Sequence, residues 1–229
     1  MRYSEFQDCI SNERMYKYLN ACNGNTKRAM TLYRYNLRLS QEMFTLISCF
    51  EVSLRNKIDY EMRRNFGSDW LRDFILPGGI FNSDQRVNGT RKIIKKAYDG
   101  LLRDNNYTHT KLLAEMEFGV WKFMFNNVHY RLTNRCLLRI FPNKPISTAQ
   151  HQYDNTYVFG NLDTVNQIRN RIAHHEPICF GATGGIDTNR VLYCYIIIMQ
   201  LFQWMGINAN ALLYGLDHVG SVSSKIMCV

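Results

Sequence analysis

Proline is scarce in this chain, four in 229 residues, and the 14 glycines show no repeat. Collagen-like and low-complexity architectures are thereby excluded. The seven cysteines (Cys9, Cys22, Cys49, Cys136, Cys179, Cys194 and Cys228) are scattered, odd in number and include no C-x-x-C pair. That spacing argues against a zinc site and against the disulfide framework of a small secreted domain, so no metal or other cofactor is expected and a reducing, cytoplasmic compartment is. The opening residues Met1-Arg2-Tyr3-Ser4-Glu5-Phe6 carry no apolar core of the signal-peptide kind. Long hydrophobic runs are missing too. The most apolar stretch, residues 191–205, is interrupted by Gln200 and Gln203 and falls short of the ~20 residues a membrane span needs, which makes it a buried helix and leaves no membrane partner to expect.

Acid is the remaining shortage. Lys+Arg number 28 against 19 Asp+Glu, a formal charge of +9. An excess of this size directs attention to anionic partners, nucleic acid first. The imbalance is local. Residues 14–38 hold Arg14, Lys17, Lys27, Arg28, Arg34 and Arg38 with no acidic residue, interleaved with Tyr16, Tyr18, Tyr33 and Tyr35. Residues 118–153 are again acid-free, and Arg131, Arg135 and Arg139 recur there every four residues, as on one helical stripe. Arg91, Lys92, Lys95 and Lys96 form a third cluster. Such stripes neutralise phosphates, and tyrosines beside them can stack on unpaired bases. Each cluster taken alone is equally consistent with a solvated helix face whose tyrosines pack inward.

What is present is helical periodicity nearly throughout. Met43, Phe44, Ile47, Phe50, Leu54, Ile58 and Met62 fall at steps of three and four, which predicts a helix over 40–66 with Ser40 as N-cap, Glu42 in the first turn and Gly67 past the C-terminus. A separate helix is expected before it, over about 26–39. Further helices are expected over 85–103, as two segments within 110–141 broken near Asn126-Asn127, and over 162–175, 188–205 and 209–216. Tyr157-Val158-Phe159 is too short to stand as a strand, and Phe180-Gly181-Ala182-Thr183-Gly184-Gly185 lacks the lysine of a phosphate-binding loop, so it reads as a flexible connection. The expectation is a single all-α domain over 1–229, a bundle of about seven or eight helices completed by the apolar helix 188–205.

The segment richest in chemistry is Ile168-Arg169-Asn170-Arg171-Ile172-Ala173-His174-His175-Glu176-Pro177. Leu162, Val165, Ile168 and Ile172 mark the buried face of its helix, and Asn170 and His174, four apart, share another face. Pro177 disfavours helical backbone at Glu176, so the helix should end at about His175. Both histidines then lie where orphan carbonyls and the negative end of the dipole gather. Histidine is the side chain suited to proton transfer near neutral pH, and arginine is a permanent forked ligand for phosphate. The pair is the minimal kit for cutting RNA without a metal: a base for the 2′-OH proton, a cation for the phosphorane, an acid for the 5′-oxygen. At ~100° per residue, Arg169 and His174 diverge by about 140° around an ideal helix. One helix focuses them poorly unless its end unwinds after Ala173 or a second copy contributes. The plain structural alternative is that the histidines cap the helix and Arg169 pairs with Glu51 or another buried carboxylate.

Arg169-Asn170-x-x-x-His174 resembles the R-x(4–6)-H motif of the HEPN superfamily of helical ribonucleases. The longer string through Pro177 is similar to that of the Abi-like abortive-infection family of bacterial phage-defence proteins. Tyr35-Asn36-Leu37-Arg38-Leu39-Ser40, Phe50-Glu51-Val52-Ser53-Leu54-Arg55-Asn56 and Glu117-Phe118-Gly119-Val120-Trp121 resemble three further segments of that family, in order, over about residues 30–180. The resemblance implies a HEPN-like helical bundle, usually dimeric, and a metal-independent endoribonuclease acting in phage defence. It also implies Arg169 and His174 as the catalytic pair and Asn170 as the residue orienting the site or the scissile phosphate, and leaves His175 without a firm role. Arg55-Asn56 resembles half of a second motif, but Tyr60 and Glu61 stand where its histidine would be, so no second centre is expected. Glu51 and Arg55, four apart, are suited to an internal ion pair bracing the site. Arg34, Arg38, Lys92, Lys96, Arg131, Arg135 and Arg139 are the expected RNA contacts. Partners implied are RNA, a second copy of the chain, and an antitoxin or phage-derived trigger. The competing function is a non-catalytic module that binds RNA or a partner protein through the same surface.

Overall fold

A computed structural model describes residues 1–229. It is all-α: helices take up 67% of the residues, and the single β-bridge, Phe180 with Ile186, does not extend into a strand. The chain divides into two compact units. The first comprises Met1–Cys49, Gln167–Gln200 and Asn208–Val229, and the second Phe50–Asn166 and Leu201–Ile207.

Helices α1 (Tyr3–Ile10), α2 (Asn12–Ala21) and α3 (Thr26–Phe66) open the chain. α3 runs 41 residues without a break, which corrects the expectation of two helices meeting at Ser40. No glycine or proline interrupts residues 26–66, so every turn can bond to the next, and Ser40 sits inside the helix rather than capping it. Thr45 and Ser48 spend their hydroxyls on the carbonyls of Gln41 and Phe44 four residues back, leaving the helical ladder intact. Gly67 ends the helix as expected, with φ of 96° and its N–H bonded to Arg63 O. α3 gives residues up to Cys49 to the first unit and the rest to the second.

The short α4 (Trp70–Asp73) and a 3₁₀ turn at Gln85–Val87 lead into α5 (Asn88–Arg103). The expected pair of helices within 110–141 is three, α6 (His109–Ala114), α7 (Phe118–Phe123) and α8 (Asn127–Leu132), followed by a 3₁₀ turn at Cys136–Ile140. The break at Asn126 is where the sequence placed it: this residue is the N-cap of α8 and accepts from Val128 N. α9 (Asn155–Ala173) absorbs Tyr157-Val158-Phe159 into a helix, α10 (Asn189–Trp204) is the apolar one, and α11 (Ala209–Leu212) and α12 (Val219–Met227) close the chain. Twelve helices therefore replace the seven or eight anticipated, because several short segments, among them 70–73, 118–123 and 209–212, form helices of one or two turns. No helix is long and apolar enough to cross a membrane. The glycine-rich stretch at 180–186 is a closed turn, with Gly181 N on Gly185 O and Asp187 N on Cys179 O.

In the first unit the core holds Met15, Tyr18, Leu32, Leu39, Met43 and Ile47 with Ile168, Cys179, Val191, Cys194 and Ile198. Tyr18 and Tyr33 stack edge to face at 5.2 Å and Tyr18 meets Phe180 at 5.1 Å, so two of the four tyrosines flanking the first basic stretch are core residues. In the second unit Phe50, Leu54, Ile58, Trp70, Phe81, Phe118, Trp121, Phe125 and Phe202 are buried. Its polar centre is Asp59, which accepts from Trp70 Nε1 at 2.9 Å, lies 2.7 Å from His109 Nε2 and pairs with Arg63 at 2.8 Å. Desolvation opposes ionisation of Asp59, but the His109 and Trp70 hydrogen bonds together with the His109 and Arg63 charges prevail and hold its carboxyl below the usual range. Lys122, also buried, bonds Asp163 at 2.8 Å and packs 4.7 Å from the Phe123 ring.

His129 carries a consequence for stability. It is 4% exposed, its Nε2 meets Thr90 Oγ1 at 2.9 Å, and its Nδ1 has no partner. Burial pushes its pKa down to about 4, against the pull of Asp84. Above the ordinary value of 6.5 the ring is neutral in both folded and unfolded chains, so its full contribution is present. As pH falls from 6.5 towards 4 the unfolded chain takes up a proton that the folded one refuses, and stability drops by about 3 kcal/mol over that window. Urea titrations at pH 7 and pH 4.5 should show this loss, and His129→Gln should shrink it; an equal loss in the variant would assign the acid sensitivity elsewhere.

Candidate catalytic helix end

α9 buries Leu162, Val165 and Ile168 as the periodicity requires. Arg169 is partly buried at the margin of that face, whereas Asn170, His174 and His175 are exposed. The helix ends at Ala173, and the manner of its ending decides what these residues can do. His174 N still bonds Asn170 O at 2.9 Å, so His174 keeps its helical azimuth. His175 then turns into the left-handed region with φ of 55°. Its N–H bonds Ile172 O at 3.0 Å, and Glu176 N reaches back to Arg171 O at 2.8 Å. This pair of bonds is the Schellman closure, with histidine in the place usually taken by glycine. Histidine is one of the few non-glycine residues that adopts this conformation with any frequency.

The closure removes the capping explanation for the histidines. Backbone N–H groups satisfy the last carbonyls of α9, and both imidazoles remain uncommitted at the surface. The turn is held from outside by three bonds. Arg14 Nη1 donates to His175 O at 2.6 Å, Arg171 Nη2 donates to Pro177 O at 2.6 Å, and Ile178 N donates to the buried Asn36 Oδ1 at 2.9 Å. Arg171 Nε also lies 3.5 Å from Glu176 Oε2. A cavity of about 240 Å³ adjoins this end, lined by Leu37, Ser40, Gln41, Phe44, His175 and Glu176 among others. Leu37 and Phe44, seven apart on α3, are 50% and 52% exposed at its edge.

The structure thus groups Asn170 and His174 on one exposed face but leaves Arg169 about 140° away around the helix. Unwinding begins one residue too late to bring Arg169 and His174 together within one α9. Glu51, Arg55 and Asn56 belong to the second unit, where Asn56 is exposed and Arg55 Nε is buried without a hydrogen-bond partner. No group of three or more His, Cys, Asp or Glu side chains is placed to hold a metal ion. Among the expected RNA contacts, Arg38 pairs with Glu42 at 2.9 Å, Arg34 lies over the Phe6 ring and Arg139 pairs with Glu61 at 3.4 Å. Lys92 and Lys96 are exposed on α5, Lys96 beside the carboxylates of Asp104, Glu115 and Glu117 around one cavity. The stripe of Arg131, Arg135 and Arg139 does not form: α8 stops at Leu132, and Asn134 and Arg135 both take left-handed backbone, which redirects the chain between the first arginine and the other two.

Three residues that brace the site were not singled out from sequence for that role. Arg171 lies inside the motif string and Asn36 inside the Tyr35–Ser40 string, so both were within quoted segments, their roles invisible without the turn they support. Arg14 acts across 161 residues and had no local signal.

The model of the family described as Abi-like protein matches residues 2–179. The match takes in Arg14, Asn36 and the whole end of α9, and stops at Cys179, the residue after Ile178 whose N–H Asn36 binds. No curated protein and no solved structure matches the chain. With more than half of its length matched, and with the residues that close the α9 turn inside the match, the chain belongs to the Abi-like protein family.

Proposed function

We propose that this Abi-like protein is an endoribonuclease of the HEPN type, acting on single-stranded RNA in bacterial abortive infection. Family membership supports the phage-defence setting. The observation that carries the chemistry is the end of α9, where two imidazoles are left free and exposed because backbone groups do the capping. His174 removes the 2′-OH proton, the 2′-oxygen attacks phosphorus, and the bond to the 5′-oxygen breaks as an acid protonates it. The products are a 2′,3′-cyclic phosphate and a 5′-OH. Arg169 balances the charge on the phosphorane, and Asn170, one helical turn before His174, orients the phosphate. No step needs a metal.

The divergence of Arg169 and His174 sets a condition on this reading: a second copy supplies the complementary group. The half-exposed Leu37 and Phe44 border the same helix end, and a twofold pairing of this face brings two such ends together and covers the apolar edge at once. His174 of one copy then serves as base and that of the other as acid.

His174→Ala and Arg169→Ala should each lower cleavage of a single-stranded RNA by about 10²–10⁴ without changing the unfolding midpoint, in an EDTA-containing assay that reads the cyclic phosphate. Undiminished cutting by both variants overturns the assignment, and salt-dependent RNA binding with no cutting by the wild type selects the non-catalytic binding module instead. His175→Gly separates the two histidines: it relieves the left-handed backbone, should raise stability by up to about 1 kcal/mol, and should leave cleavage within severalfold of wild type. A loss as deep as that of His174→Ala would move proton transfer to His175. Phe44→Glu should yield a folded monomer in sedimentation velocity that no longer cuts; an active monomer, variant or wild type, would sink the two-copy arrangement.

A further inference from the structure

A groove of the first unit lies on the amino-terminal third of α3 against α12. Its volume is about 710 Å³. Lys27, Thr31 and Tyr35 recur every four residues on the α3 side, with Arg28 beside them, and Ser224 and Lys225 face them from α12. No acidic side chain lines it. The three cations are exposed and stand in no ion pair, unlike Arg38 further along the same helix. Thr31 and Ser224 donate their hydroxyls to Lys27 O and Gly220 O within their own helices. The charged side chains of the groove are therefore Lys27, Arg28 and Lys225, with Cys228 and Val229 completing its wall, and its α3 side runs from Lys27 to Tyr35, the residue before the Asn36 that anchors the end of α9.

We propose that this groove is a docking track for the phosphate backbone of a single-stranded nucleic acid, separate from the bond-breaking end of α9. Small phosphate compounds are recognised by convergent, pre-oriented donors, often at buried positions. Here the cations sit on long flexible stems around an open groove, the arrangement that follows a polyanion by charge and counterion release rather than by shape. Tyr35 adds an aromatic ring on the same wall. Only the assertion that the strand continues to α9 for cutting rests on the ribonuclease reading; binding in the groove does not.

The test uses the full chain with His174→Ala in place, so that no strand is cut, and a fluorescent 20-nucleotide single-stranded RNA titrated by anisotropy over a range of NaCl. Replacing Lys27, Arg28 and Lys225 together by Gln should reduce the slope of log affinity against log salt by about 2, three contacts at about 0.7 each. Arg86→Gln, in the second unit and paired with Asp84, should leave the slope unchanged. An unaltered slope in the folded triple variant overturns the proposal. Inorganic pyrophosphate competing as well as the RNA at equal charge overturns the strand in favour of a small phosphate ligand, and equal competition by a polyglutamate peptide overturns it in favour of an acidic protein. If the wild type cuts RNA, the triple variant in an otherwise native chain should raise KM and leave kcat unchanged. If the wild type does not cut, the slope difference persists, so failure of the ribonuclease reading and failure of the groove are told apart.

Discussion

Uninterrupted i to i−4 hydrogen bonding along α3 is the constraint on which the rest depends. α3 holds this bonding over 41 residues, and each unit contains its own portion of the helix. In the first unit it carries Lys27 and Arg28 near its start, then Asn36, then Leu37 and Phe44. In the second it carries Asp59, on which Trp70, His109 and Arg63 converge. Within each unit the helix fixes the spacing of the residues it carries there. A break at Ser40 would have left Asn36 free to drift from the turn it anchors.

The end of α9 shows how a short run of backbone geometry can release side chains for chemistry. A helix terminus must satisfy its last carbonyls. Had the imidazoles done so, they would be structural. Because His175 accepts a left-handed conformation, the N–H groups of the consecutive residues His175 and Glu176 complete the closure instead. Arg14 and Asn36, both far away in sequence, and Arg171, within the helix, then hold the turn in place. In the ribonuclease proposed above, this support would hold the imidazole at its place against the phosphate.

Legibility in the sequence followed the range of the forces involved. The apolar periodicities of 85–103, 162–175 and 188–205 were readable because helix burial is set by neighbours three and four residues away. The failures came where weak local signals met long-range packing. Ser40 had the residue type of an N-cap, but capping pays only where the backbone leaves the helix, and nothing between 26 and 66 makes it leave. Arg131, Arg135 and Arg139 had the spacing of a stripe, but Asn134 and Arg135 turn left-handed and dissolve it. The charge pattern misled in the same way: Arg38 and Arg139 look free in an acid-free stretch, yet Glu42 and Glu61 meet them across a helical turn or from another element.

By itself, then, the sequence determined an all-α chain, the approximate end of α9 before Pro177, and the helical spacing of Arg169, Asn170 and His174, because helical periodicity and proline act through neighbouring residues. Tertiary structure alone decided that Lys122 and Arg139 meet Asp163 and Glu61, that Lys225 faces Lys27 and Arg28 across one groove, and that the histidines are spared from capping. Each of these depends on groups between about 40 and 200 residues apart or on one left-handed residue whose cost the fold around it offsets.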